Sequence, residues 1–183
     1  AATSIRWTTL DKSNRDAWTT WCAANPITDS LGQQQILSGN QAYMRLNARL
    51  RKGGFPFIDW PPVASAPLAF AQTSVSFTVT TPGTTQEAEI TSVFNVLGAD
   101  EALWVDFVLV NTTSKMFVEN LYKTIFISAA AAVAPFDITD EVVARFGDMA
   151  INQQFRLRLY KFDTTTGLIS PPFEAGGPVL AGP

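Results

Sequence analysis

Around residues 53–62 the hydrophobic pattern of the chain changes from helical spacing to strand spacing. Before this point apolar residues recur every three or four positions, whereas from about Val63 several segments alternate with a period of two. Between the two patterns lies the stretch FPFIDWPP, whose prolines exclude a helix. The sequence therefore predicts a helical N-terminal arm with an extended strap over residues 1–62, followed by a β-rich body over residues 63–183.

The first predicted helix of the arm covers Asn14–Ala24, with Ser13 as its N-cap residue. Trp18, Trp21 and Cys22 lie on one apolar stripe of this helix, and two tryptophans on so short a helix must pack against something. Since Cys22 is the one cysteine, the chain cannot form an internal disulfide. We predict a buried and unreactive thiol at this position.

The second predicted helix begins after Ser38, because Ser38 and Gln41 form a capping-box pattern. Tyr43 lies on its apolar face, and basic residues gather at its C-terminal end, where cations interact favourably with the helix dipole. A glycine at Gly53 or Gly54 ends the helix.

The body contains segments typical of short β-strands. They are Thr73–Thr81, Gln86–Val96, Leu103–Val110, Tyr122–Ser128, Phe155–Phe162 and Leu168–Ser170. Asp137–Met149 fits either a loop or a short helix that ends before Gly147, and the residues from Pro171 onward are predicted to form a flexible tail. The sequence predicts a mainly β fold, an antiparallel immunoglobulin-like or fibronectin-like β-sandwich with a two-helix N-terminal arm.

Charge is sparse and unevenly distributed along the chain. Only 16% of the residues are charged, and the net charge is −3. Residues 1–60 contain seven basic and four acidic side chains, a net charge of +3, whereas residues 61–183 contain six and twelve, a net charge of −6. This asymmetry would favour docking of the arm of one copy onto the body of another, or docking of the arm onto its own body. The sequence leaves both possibilities open.

Residues for common catalytic chemistry are missing from the sequence. The chain has no histidine, which excludes Ser-His-Asp and Cys-His catalysis and histidine-ligated metals. The adjacent acids Asp100-Glu101 and Asp140-Glu141 lack the arrangement of a glycosidase pair or a calcium loop, and no phosphate-binding glycine motif occurs. No segment has the roughly 20 apolar residues of a membrane helix. We therefore predict no enzyme activity, cofactor, metal, small-molecule substrate or membrane contact.

Arginine and aromatic residues in the arm predict a protein-binding surface, because both residue types are enriched at interfaces. The candidate partner-binding residues are Trp18, Trp21, Tyr43, Arg45, Arg49, Arg51, Phe55, Phe57 and Trp60. The same residues could instead pack onto the chain's own body. Nucleic acid is not the predicted partner, because the basic cluster is small and Tyr43 lies on the apolar stripe.

Two stretches resemble known proteins. RDAWTTWCAANPITDSLGQQQILSGNQAYMRLNARLRKGGFPFIDWPP resembles the N-terminal part of small proteins found among tailed-bacteriophage structural genes and in some bacterial genomes. The shared features are a Trp-rich helix, a turn that contains proline, and a helix that begins with the sequence Leu-Ser/Thr-Gly. They also include a Leu-Asn pair and a final segment with the motif Gly-x-Pro followed by Pro-Pro. RLRLYKFDTTTGLISPP is similar to the last hairpin of fibronectin-like modules.

The resemblance implies a virion structural protein, a capsid-associated or decoration subunit that cements neighbouring subunits through its arm. Its partners would be the major capsid protein or copies of itself, in a virion assembled in the host cytoplasm. Such proteins have no assigned catalytic residues, so the resemblance transfers none. A tail component, or a carbohydrate- or receptor-binding β-module with Trp7, Trp60 or Trp104 as a stacking platform, is the alternative.

Overall fold

The computed structural model describes residues 2–28, 33–63, 66–67, 78–79, 88–90, 97–110 and 118–181. The chain divides into two compact units. The first, here called the helical unit, consists of Ala1–Ala66 together with Asp163–Leu168, and the second, here called the sheet unit, consists of Pro67–Phe162 and Ile169–Pro183. Sequence analysis placed a boundary at residue 62 but did not assign the later segment to the helical part.

The described residues of the helical unit form three helices, α1 (Ala2–Thr9), α2 (Lys12–Ala24) and α3 (Gly39–Lys52). Between α2 and α3, the short strands β1 (Ile27–Thr28) and β2 (Gln34–Gln35) pair antiparallel. The prediction of a two-helix arm was wrong, because α1 was missed. At eight residues, and with no acidic side chain in its first turn, α1 has few local signals and depends on packing.

The two predicted helices, α2 and α3, differ in how their N-termini are capped. In α3 the amide of Gln41 donates to Ser38 Oγ at 3.3 Å, and the amide of Ser38 donates to Gln41 Oε1 at 2.9 Å, which confirms the capping box. The helix α2 begins earlier than predicted, and its N-cap residue is Asp11 rather than Ser13. The Asp11 side chain makes no capping hydrogen bond, so α2 begins where its packing allows rather than at the strongest capping residue.

The core of the helical unit lies where the apolar stripes of α2 and α3 meet. Its fully or nearly fully buried members are Leu10, Trp18, Cys22, Ala42, Tyr43 and Leu46. The rings of Trp18 and Tyr43 meet edge to face, with centroids 5.6 Å apart. Cys22 is buried as predicted, and burial raises the pKa of its thiol.

In its described residues the sheet unit combines mostly antiparallel strands with one α-helix, α4 (Thr139–Phe146), and a 3₁₀ turn at Glu119–Leu121. Its described strands are β3 (Thr78–Val79), β4 (Glu89–Ile90), β5 (Glu101–Val110), β6 (Lys123–Ile127), β7 (Phe136–Asp137), β8 (Gln154–Asp163), β9 (Phe173–Pro178) and β10 (Leu180–Ala181). Four of them form one sheet in the order β6-β5-β8-β9, β4 pairs antiparallel with β7, and β10 pairs parallel with β3.

The central strand β5 is buried on both faces over most of its length. Leu103, Val105 and Phe107 join the main core of the sheet unit, in which Phe107 stacks on Phe155 of β8 at 6.1 Å between ring centroids. On the other face Trp104 packs against Phe162. The largely apolar sequence of β5, interrupted by Asp106, fits this position, since a strand covered on both sides needs no polar alternation.

Several predicted elements of the sheet unit are confirmed. The strands predicted at Leu103–Val110, Tyr122–Ser128 and Phe155–Phe162 correspond to β5, β6 and β8. The segment left open between loop and helix is helical, as α4, and ends at Gly147 with a φ of +80°. Of the strands predicted at Thr73–Thr81 and Gln86–Val96, only residues 78–79 and 88–90 fall among the described residues.

Two predictions for the sheet unit need correction. Ile169 makes only an isolated bridge with Phe162, and the return strand is β9, beyond Pro171-Pro172, in the segment predicted to be a flexible tail. The fold class is mixed rather than mainly β, because four α-helices accompany the strands among the described residues. The described strands form one four-stranded sheet and separate pairs, so they do not make a clearly closed sandwich.

Candidate functional site

The candidate partner-binding residues occupy very different environments in the helical unit. Trp18 and Tyr43 are completely buried at the centre of its core, and Trp21 is half-buried against Trp18, with ring centroids 5.9 Å apart. Trp18 and Tyr43 therefore hold the helices of their own chain together. This burial corrects the expectation that their rings are surface anchors, because a ring enclosed by its own chain offers no area to a partner.

The strap that follows α3, residues Phe55 to Pro62, is neither helix nor strand, bends at Asp59 and Trp60, and is attached to the helices by hydrogen bonds. Asn47, fully buried on α3, accepts from the amide of Ile58 at 2.8 Å and donates to the carbonyl of Ile58 at 3.0 Å. The indole of Trp18 donates to the carbonyl of Asp59 at 2.9 Å. These bonds satisfy the N–H and C=O of Ile58 and the C=O of Asp59 without a second strand, so they attach the middle of the strap to the helices.

The strap is also tied to α1 by an ion pair. Arg6 donates from Nε and Nη2 to the two carboxylate oxygens of Asp59 at 2.9 and 3.0 Å, a bidentate arrangement. The Arg6 guanidinium also lies over the ring of Phe57, 5.3 Å from its centroid. Hydrogen bonding to Arg6 lowers the pKa of Asp59, and the same contact raises the pKa of Arg6. Both groups are therefore held in their charged forms.

Beyond this fixed part, the strap presents apolar side chains to solvent. Trp60 is 58% exposed, and Val63 is fully exposed. Phe55 and Phe57 are half-buried. Trp60 is thus the member of the predicted aromatic set with the largest free surface.

The predicted arginines lie along α3 and toward its C-terminal end. Arg45 and Arg51 are exposed, whereas Arg49 is half-buried and donates to the carbonyl of Gly167 at 3.4 Å. Arg49 therefore contacts the 163–168 segment within the helical unit. Arg45 and Arg51 are the arginines of the set that remain on the surface.

A polar cleft opens at the junction of α1, α2 and the strap, with a volume of about 420 Å³. It is lined by Arg6, Thr9, Leu10, Asp11, Asn14 and Asp59. Sequence analysis singled out none of these residues, because they come from three elements that are not neighbours in sequence. The one available signal was Asn14, a polar residue that lies on the buried side of an apolar helix.

Behind the Arg6–Asp59 pair lies the hydroxyl group of Tyr43. Its oxygen is buried and forms no hydrogen bond in the described part of the chain. Burial raises the pKa of Tyr43, and the negative charge of Asp59 adds to this effect. The phenol is therefore a neutral group at neutral pH, enclosed by the Trp7 and Trp18 rings.

The sheet unit has its own polar groups, which pair with one another. Lys161, nearly buried, donates to Glu101 at 3.2 Å, and Arg158 bonds Glu174 at 2.7 Å and lies over Tyr122. The described residues contain no group of three or more His, Cys, Asp or Glu side chains that could hold a metal ion. None of the described helices is long and apolar enough to cross a membrane.

No family model, curated protein or solved structure matches the chain in comparisons with known proteins.

Proposed function

We propose that the chain is a virion structural protein, a capsid-associated or decoration subunit that attaches to neighbouring proteins through its helical unit. Its partners would be the major capsid protein or further copies of itself, and its location the virion, assembled in the host cytoplasm. We also propose that the sheet unit is a variant of the immunoglobulin-like or fibronectin-like sandwich. This proposal rests on the resemblance of the N-terminal and hairpin sequences, together with the surface of the helical unit.

The observation that carries the proposal is an exposed tryptophan on a rigid support. Trp60 directly follows Asp59, whose side chain and carbonyl are both bound by the helices. Because the backbone that carries this exposed indole is already fixed, binding orders less of the chain, and tryptophan is among the residue types enriched as energetic anchors of interfaces. Exposed Val63 extends the apolar surface, and Arg45 and Arg51 add cationic groups elsewhere on the helical unit.

The proposed attachment uses a folded surface rather than an arm that extends away from its own helices. The strap is bound to its own helices rather than free to extend, so the contact would be made by a folded surface. Each contact of this kind is small. Repetition over a symmetric particle would make the total attachment strong, because the contacts of a bound layer act together.

A binding role for carbohydrate or receptor, or a place in the phage tail, is the second candidate. Of the three tryptophans considered for a stacking platform, Trp7 is half-buried and Trp104 is buried, and Trp60 alone is mostly exposed. A platform would therefore use the same indole. We favour protein as the partner, because the neighbouring exposed group, Val63, is aliphatic and offers a sugar no hydrogen bond.

The proposal is tested on particles purified from cells in which the encoding phage genome is expressed. Quantitative mass spectrometry should find the chain in many copies per particle. Trp60→Ala should lower its incorporation about tenfold or more, because truncating an anchor of this type typically weakens binding by that factor.

Val133→Ala is the matched control. It removes an apolar side chain that is 76% exposed in the sheet unit, and incorporation should stay unchanged. Absence of the chain from purified particles, or equal incorporation of Trp60→Ala and the wild type, would overturn the proposal.

A further inference from the structure

We propose that the cleft between α1, α2 and the strap is a binding site for a neutral, polyhydroxylated small molecule of about the size of a monosaccharide. This inference goes beyond the proposed virion role and does not depend on it. It rests on which hydrogen-bonding groups of the cleft are fixed and which are still free.

The first free donor is Asn14, whose side chain is unusually enclosed for an amide with capacity to spare. The residue is only 9% exposed and lines the cleft. Its Oδ1 accepts a long bond of 3.4 Å from Ser13 Oγ, and no described residue accepts a hydrogen bond from its Nδ2. The Nδ2 group is not sealed from solvent, so water or another molecule supplies its acceptor. Because Asn14 lines the cleft, a ligand there can take the place of that water.

The second free donor is the guanidinium of Arg6. Nε and Nη2 are bound to Asp59, and the ring of Phe57 lies under the guanidinium, so its orientation is fixed. The Tyr43 hydroxyl also lies close to the guanidinium. Because Asp59 takes only two of the five N–H groups of Arg6, others remain for a ligand. A donor that is already oriented binds a ligand with a small entropic cost.

The cleft also offers free acceptors. The Asp11 carboxylate makes no capping bond with α2 and no other hydrogen bond to the described residues. Thr9 donates its hydroxyl hydrogen to the carbonyl of Arg6 at 2.8 Å, which leaves the lone pairs of its oxygen free. Each Asp59 oxygen accepts one bond from Arg6 and retains further acceptor capacity.

Together, the free donors and acceptors of the cleft determine which chemical class of ligand it can bind. The charged lining groups are Arg6, Asp11 and Asp59, with a net charge of −1. An anion would be repelled by two carboxylates, and a cation would leave the donors of Arg6 and Asn14 without acceptors. An apolar molecule would desolvate side chains that are almost all polar, unlike the mainly apolar lining of typical ligand pockets.

A molecule with adjacent hydroxyl groups can satisfy both the donors and the acceptors of the cleft, since each hydroxyl donates one hydrogen bond and accepts others. It would donate to Asp11 and Thr9 and accept from Arg6 and Asn14. The volume of about 420 Å³ lies within the range of roughly 300–1,000 Å³ typical of small-molecule sites. Because the cleft is open and few bonds are made, we expect a dissociation constant on the order of millimolar.

The experiment is a titration of the ¹⁵N-labelled full chain, followed by two-dimensional amide NMR. The probes are glucose, galactose, mannose and N-acetylglucosamine, with sodium phosphate and guanidinium chloride at low concentration as charged comparators. We expect at least one sugar to shift the amide signals of Thr9–Asn14 and the Asn14 side chain in a saturable way. The charged probes should leave those signals unchanged.

Asp11→Ala should weaken binding of that sugar about tenfold, because a hydrogen bond to a charged acceptor is lost. Asp16→Ala is the matched control, since Asp16 is also an exposed acid of α2 but lies outside the cleft. The affinity of Asp16→Ala for that sugar should equal the affinity of the wild type. If Asp11→Ala fails to fold, Thr9→Ala provides the same test, because Thr9 is exposed and contributes one acceptor.

Three results would overturn the inference. They are the absence of saturable shifts at Thr9–Asn14 with every sugar, binding of phosphate or guanidinium in place of the sugars, and an unchanged affinity in the folded cleft variant.

Discussion

At the residue scale, Asn47 and Tyr43 show two opposite ways of burying a polar group. Both are fully buried on α3, four positions apart. The side-chain amide of Asn47 accepts a hydrogen bond from the N–H of Ile58 and donates to the carbonyls of Ile58 and Tyr43. The hydroxyl of Tyr43 has no partner among the described residues. Burial of Asn47 therefore fixes the strap, whereas burial of the Tyr43 hydroxyl costs free energy.

Tyr43→Phe should raise the free energy of unfolding, by up to about 1 kcal/mol, because it removes an unsatisfied buried hydroxyl and keeps the ring. Chemical denaturation followed by tryptophan fluorescence measures this change. Tyr43→Leu is the control for the ring itself and should lower stability by about 2 kcal/mol through lost packing with Trp7 and Trp18. A clear loss of stability in Tyr43→Phe would show that the hydroxyl makes a bond.

Sequence reasoning identified the apolar face of the helices correctly but not what covers it. Trp18 and Tyr43 were predicted to be interface residues because aromatic residues are enriched both in interfaces and in cores. The element that covers them includes α1, which has few local signals of its own. Asn47 was the residue that could have revealed the enclosure, since a polar residue in the middle of an apolar helical stripe needs a buried partner.

At the scale of elements, predictability followed the strength of local signals. Helix α3 was predicted at both ends, because a capping box and a pair of glycines are short-range chemistry. Helix α2 was predicted with the wrong cap, since Ser13 and Asp11 are both good N-cap residues and packing decides between them. The strand β9 was missed because Pro171-Pro172 suggests an end to regular structure.

The connection between α1 and the strap predicts a dependence of stability on pH. Arg6 lowers the pKa of Asp59, so this carboxylate binds a proton less readily in the folded chain than its ordinary pKa of about 3.9 implies. A lowered pKa stabilises the fold at pH values above the ordinary pKa, and this contribution is lost as the pH falls through the lowered value. We therefore expect the melting temperature to fall as the pH is lowered below about 4.

Asp59→Asn should reduce this loss of melting temperature in acid, because the amide does not titrate. Melting curves from neutral pH to strongly acidic pH, recorded for both chains, provide the measurement. The effect should be modest, since both partners are partly exposed and solvent screens the pair. Identical acid dependence in the two chains would contradict a role of Asp59 in acid stability.

At the scale of the whole molecule, the helical unit is made from two distant parts of the chain. Residues 163–168 belong to it although they follow β8 in sequence. Leu168 packs against its core, and Gly167 adopts a φ of +74° and lies against Leu46 and Leu50 of α3. A Cβ atom at Gly167 would lie 2.7 Å from the carbonyl oxygen of Leu46. No periodicity in the sequence reports this contact, because it joins residues that lie far apart.

Gly167→Ala should therefore destabilise the protein more than an equivalent change elsewhere. Gly54→Ala is the matched control, since Gly54 belongs to the same unit and has a φ of +78° but nothing within 4 Å of its Cβ position. We expect Gly54→Ala to cost about 1 kcal/mol for the left-handed backbone and Gly167→Ala to cost about 1–3 kcal/mol more for the steric clash. Chemical denaturation of both variants tests this, and equal losses would mean that the loop does not pack on α3.

Because the helical unit is built from two separate stretches of the chain, the order of synthesis affects its folding. The ribosome synthesises the helices α1, α2 and α3 well before the segment at residues 163–168 that completes their packing. A chain cut before residue 163 therefore has an incomplete helical part, in which Leu46 and Leu50 lack their contacts with Gly167. We expect such a fragment to be cleaved by proteases faster than a chain that contains residues 163–168.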